Sequence, residues 1–183
     1  MSLPRSDIVH AGRRKTKLHQ AGDEMITVRG QFGQPHTGRT IFWFGKGNHE
    51  NYGLGAYLHA FVSDSWALGV GIDGSLLKPP GKNVFGVEVE GVSRHYLTQS
   101  ADYGVFWDFT GGFIQTSRGF PPGGTRWNFT FGFGPGLELP VGSNTDLLVG
   151  GYFHHMSNGL GRDTPRNPSQ NDLRFWLGIG WTL

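Results

Sequence analysis

Alternation constrains this chain more than any other feature. From residue 40 onward, apolar residues take turns with polar residues or glycine at a period of two, the spacing of a strand with one face in apolar surroundings. "WALGVGIDG" sets Trp66, Leu68, Val70 and Ile72 on one face and Gly69, Gly71 and Asp73 on the other. "VFGVEVEGVSR" separates Phe85, Val87 and Val89 from Glu88, Glu90 and Arg94. "RWNFTFGFGPGLEL" and "NDLRFWLGIGWTL" repeat the pattern, and no amphipathic helix of useful length interrupts it. The pattern predicts eight strands, at about 39–46, 52–63, 66–77, 83–97, 103–116, 125–139, 144–157 and 171–183. A further alternating piece, "ITVRGQF" at 26–32, is left outside as a strand extension or lead-in, because bacterial single-chain barrels have even strand numbers.

The content of the two faces decides which one points inward. One face is wide and aromatic; the other is glycine with isolated charges. The chain has 31 Gly in 183 residues, with 14 Phe, 6 Trp and 5 Tyr, against an average glycine usage of about 7%. An eight-stranded barrel has an interior just wide enough for side chains to fill. The aromatic face would overfill it, whereas Gly with Glu88, Glu90, Arg94, Asp108, Glu138 and Arg174 would fit and pair. The aromatic face is therefore expected to point into lipid, and the fold class is an all-β, eight-stranded antiparallel up-and-down transmembrane barrel. Seven of these strands, at 12 to 15 residues, exceed the roughly 9–11 needed to cross a bilayer at a tilt. A soluble, lipocalin-like barrel with a ligand cavity is the competing architecture.

Cysteine is absent, which excludes disulfides and thiolate chemistry, and the net charge is only +2, which gives no case for nucleic-acid binding. Residues 1–24, with the basic run "GRRKTK", are read as a disordered, solvated tail, and 25–183 as the barrel. No apolar central region of a signal peptide occurs in 1–24. Either the export leader lies outside this chain or the membrane reading fails. The connections expected at 47–51, 78–82, 117–124 and 158–170 include the two longest, so they are placed outside the cell and the shorter ones in the periplasm.

That orientation puts "HHMSNG" at the outer end of the seventh strand. His155 and Ser157 share the lipid-facing side with Val149, Gly151 and Phe153. A neutral imidazole can take a serine proton and turn the hydroxyl into a nucleophile; for a pair facing lipid, the obvious substrate is a lipid ester. His154 points inward as an ordinary interior histidine. "HHMSNG", followed by a loop and "NPSQND" leading into the last strand, resembles the lipid A 3-O-deacylases of the PagL type. The resemblance covers about the last 40 residues specifically and the rest only as architecture. It implies an outer-membrane location and lipid A or lipopolysaccharide as partner. It places the general base on His155 and the nucleophile on Ser157, with an oxyanion contribution from Asn158 and the backbone of Gly159. Strand parity puts Asn171, not an acid, in the third position; Asp172 is acidic but faces the lumen unless a bulge at the rim turns it outward. Arg162 and Arg166 either contact lipid A phosphates or belong to a solvated loop, and "NPSQN" also reads as turn chemistry. No metal and no cofactor are expected, and whether the chain forms a homodimer stays open. The alternatives to an esterase are a non-catalytic outer-membrane barrel and a soluble lipid-binding barrel.

Overall fold

The computed structural model describes residues 17–36, 49–159 and 167–183. Eight strands follow one another: β1 (Glu24–Pro35), β2 (Glu50–Ser63), β3 (Trp66–Lys78), β4 (Val84–Gln99), β5 (Gly104–Thr116), β6 (Trp127–Pro140), β7 (Thr145–Ser157) and β8 (Gln170–Thr182). Each pairs antiparallel with the next, and β1 closes on β8, so the sheet is a barrel without an edge. Among the described residues there is no helix.

Seven of the expected strands are present within two residues of their expected ends. The first is not where it was expected. "ITVRGQF" is the core of β1, paired with β2 from Glu24↔Ala60 and with β8 from Met25↔Thr182. The segment 39–46 lies outside the described residues. The alternation of β1 is as regular as that of the other strands, and β1 completes the even count of eight. Orientation is unaffected, because β1 leads into the connection before β2 as the expected first strand did.

The apolar face points outward. Leu54, Val70, Phe85, Phe129, Phe175 and Leu177 are all more than half exposed, an apolar exterior of the kind that faces lipid. Rings collect at both ends of this band: Trp66, Tyr103 and Trp181 near the short turns, and Tyr52, Phe85, Trp127 and Phe129 near the long loops. The expected lumenal charges are all buried. Arg94 grips Asp108 through two parallel bonds of 2.8 and 2.9 Å. Arg174 Nη1 lies 3.4 Å from Glu88, and Arg29 Nη2 lies 2.9 Å from Glu90. A polar lumen with an apolar exterior is the reverse of a lipocalin-like barrel.

The lumen also holds large rings. Tyr57, Phe106 and Trp176 are buried inside, and each faces a glycine on the adjacent strand: Tyr57↔Gly71, Phe106↔Gly136 and Trp176↔Gly150. A Cβ on Gly71 would come within 2.1 Å of the Tyr57 ring, and one on Gly136 within 2.2 Å of Phe106. These inward glycines make the room that the rings fill. The buried interior is layered: an apolar cluster of Met25, Phe61, Tyr96, Phe106 and Trp176 toward the short turns, the charged layer around Arg29, and a second cluster of Leu77, Val84, Ile114, Phe120 and Met156 toward the long loops.

Residues 17–23 belong to the stretch read as a disordered tail, and they are folded. Leu18 and His19 are buried, and His19 stacks on Phe61 at 4.1 Å. The His19 amide donates to Gln99 Oε1 at 3.1 Å, and the Gly22 amide donates to the Phe61 carbonyl at 2.8 Å. The segment closes over the short-turn end of the barrel, with Lys17 paired to Asp64 in the β2–β3 turn at 3.0 Å.

Candidate functional site

The β7–β8 ladder runs from Thr145↔Trp181 to Met156↔Gln170 without a register shift. Side-chain parity therefore persists to the rim. It pairs His155 with Asn171 on the outside and His154 with Asp172 on the inside. On the other flank His155 faces Phe131 and Ser157 faces Phe129.

His155 Nδ1 and Asn171 Oδ1 are 2.6 Å apart. A carbonyl oxygen only accepts, so Nδ1 carries the proton and Nε2 is the basic nitrogen. Both residues are on the outer face yet are buried, His155 at 3% and Asn171 at 0% exposure. The Phe131 ring packs 5.0 Å from the imidazole, centroid to centroid; the pattern of alternation had placed Phe131 on this face without linking it to His155. Ser157, two residues along the same face, is half-buried. Beyond it the Asn158 amide donates to Asn167 Oδ1 at 3.0 Å, which ties the two ends of the β7–β8 loop together and is the turn chemistry expected of "NPSQN". Gly159 has φ +72°, a left-handed backbone that favours glycine. Arg162 and Arg166 lie outside the described residues.

Asp172 does not reach the site. With no bulge to turn it, its carboxylate sits at 0% exposure in the lumen, accepting from Asn51 Nδ2 at 2.8 Å and Gln170 Nε2 at 2.7 Å. His154 lies beside it, 3.7 Å from Asp172 and 3.3 Å from Glu88. The histidine that touches carboxylates is thus the interior one, and the outward one leans on an amide.

This arrangement is a histidine with one nitrogen fixed, a hydroxyl on the same face, and a lipid-type exterior around them. It can support general-base activation of the serine, with Asn171 holding the ring.

No protein-family model and no curated protein matches the chain. Solved structures do. Neisserial surface protein A superposes with a TM-score of 0.64 at 9% identity, over 87% of this chain and 97% of that one. The outer membrane enzyme PagL gives 0.60 at 16% identity, over 83% and 97%. The outer membrane protein OprG of Pseudomonas aeruginosa gives 0.55 at 11%, over 90% and 97%. At these identities the likeness is one of fold, and the class it defines is the eight-stranded outer-membrane-type barrel.

Proposed function

We propose that this protein is an outer-membrane serine esterase that removes the 3-O-linked acyl chain of lipid A. The observation that carries this reading is the His155–Asn171 hydrogen bond on the lipid-facing wall, two residues from Ser157. Polar groups placed there are costly without a partner, and this partner leaves the imidazole in the tautomer a general base requires. The shared architecture with PagL and the "HHMSNG" motif give the ester its class.

In this reading Ser157 Oγ attacks the ester carbonyl while His155 Nε2 takes its proton. Asn171 Oδ1 keeps Nδ1–H in place and faces the imidazolium that forms. The tetrahedral intermediate expels the sugar oxygen, which receives the proton from Nε2, and the acyl group stays on Ser157. Water, deprotonated by the same nitrogen, then releases the hydroxy fatty acid. With the Asn158 amide engaged by Asn167, the Asn158 side chain and the Gly159 backbone are the candidates for holding the oxyanion.

The test is mass spectrometry of lipid A from Gram-negative cells that express the chain behind an export signal, beside the Ser157→Ala variant. Loss of one 3-linked hydroxyacyl chain with the parent alone is the expected result. Unchanged lipid A, with the protein folded in the outer membrane, would leave the second reading: a non-catalytic barrel. The neutral Asn171 in the acid's position is the observation in its favour.

A further inference from the structure

A second group of ligand-type side chains lies at the opposite end of the barrel, remote from His155 and Ser157. His19 of the closing segment, Glu138 of β6 and Asp146 of β7 each offer one donor atom, and the three atoms lie within 4.8 Å of one another. All three residues are buried. His19 Nε2 is 2.5 Å from Glu138 Oε1, while Nδ1 of the same ring is buried without a hydrogen-bond partner. The other oxygen of Glu138 accepts from the Tyr96 hydroxyl, the kind of outer contact that fixes a ligating carboxylate. The nearby Arg94 is engaged by Asp108.

We propose that His19, Glu138 and Asp146 bind a divalent transition-metal ion, which fastens residues 17–23 into the barrel. One imidazole nitrogen with two carboxylate oxygens is a donor set for zinc and its first-row neighbours; calcium and magnesium prefer oxygen throughout. The two carboxylates carry a formal charge that a divalent ion matches. The His19–Glu138 pair leaves Nδ1 buried and unpartnered, a costly arrangement that an ion bound at Nδ1 would relieve and one bound at Nε2 would not. Because the ligands come from the closing segment and two different strands, the ion would join the segment to the wall. This site is independent of the esterase reading.

The experiment uses the full chain, purified without an affinity tag in detergent micelles, stripped with EDTA and dialysed against zinc or magnesium. Metal retained per folded chain is measured by elemental mass spectrometry, and trypsin cleavage after Lys17 reports whether the segment is held. The expected result is one zinc per chain and slower cleavage when loaded. Both should be lost in His19→Ala and Asp146→Asn and kept in His154→Ala, which removes another buried lumenal imidazole. Zinc retained no better than magnesium, or equally well by Asp146→Asn, overturns the proposal. Asp146→Asn keeps the side chain's shape, so it decides the matter alone if His19→Ala does not fold.

Discussion

At the scale of single residues, Asn171 sets what His155 can do. An amide oxygen holds the ring but offers less to an imidazolium than a carboxylate, since hydrogen bonds to charged groups are worth about 1 kcal/mol more than neutral ones. If the esterase reading holds, Asn171→Asp should raise the rate on lipid A about tenfold, and Asn171→Ala should lower it, both scored by the deacylated fraction over time. Arg94 gives a prediction about stability. Replacing it with Leu leaves Asp108 buried without its two-bond partner, and losing one half of a buried pair costs about 3–5 kcal/mol. Urea unfolding of the micelle-bound barrel should show a loss of that size, and a loss under 1 kcal/mol would mean that water or another cation replaces Arg94.

At the scale of the strand, glycines divide by the face they occupy. Gly71 and Gly136 face into the lumen beneath the rings of Tyr57 and Phe106, whereas a Cβ on Gly30 would meet nothing within 4 Å. Gly71→Ala and Gly136→Ala should each lower unfolding stability by about 1–3 kcal/mol through overpacking, with Gly30→Ala close to neutral in the same assay. The closing segment has its own condition. Hydrogen bonds from the Lys17 ammonium and the Ala21 amide hold the exposed Asp64 carboxyl below the usual carboxylate range. A lowered folded value means that the contact is intact above about pH 4, the unfolded value, and weakens as pH falls through the lowered one. The protection factor of the Ala21 amide, its slowing relative to the intrinsic exchange rate at the same pH, should fall on that descent when followed by nuclear magnetic resonance. In Asp64→Asn it should not respond to pH over the same range.

At the scale of the whole molecule, the period of two was sufficient for the architecture. It separated the faces and put Arg94, Asp108, Glu88 and Arg174 inside, because Glu88, Asp108 and Arg174 are each flanked by outward apolar residues and Arg94 keeps the parity of Glu88 and Glu90 in β4. It also placed Asn171 outward and Asp172 inward, since nothing shifts the β7–β8 register. Other features depend on neighbours distant in the chain. Parity with Asp108 points Phe106 inward, but nothing local shows what makes room for its ring until Gly136 is known to stand opposite. His19 reads as part of a polar tail, and its contact with Glu138 spans 119 positions, a separation that no motif spacing records. "ITVRGQF" carried the right signal and was set aside by a count of strands.

The charged layer has one more consequence. The Arg29 guanidinium, from β1, reaches Tyr57 on β2, Glu90 on β4 and Tyr152 on β7, and its carbon lies 3.9 Å from the centre of the Tyr57 ring. These links cross the full width of the lumen at its middle, and residues 17–23 stand beneath them. A lumen filled with side chains in this way should leave an ion no hydrated path. In a planar lipid bilayer under voltage the inserted protein should be electrically silent, with no unitary current steps above the bare membrane.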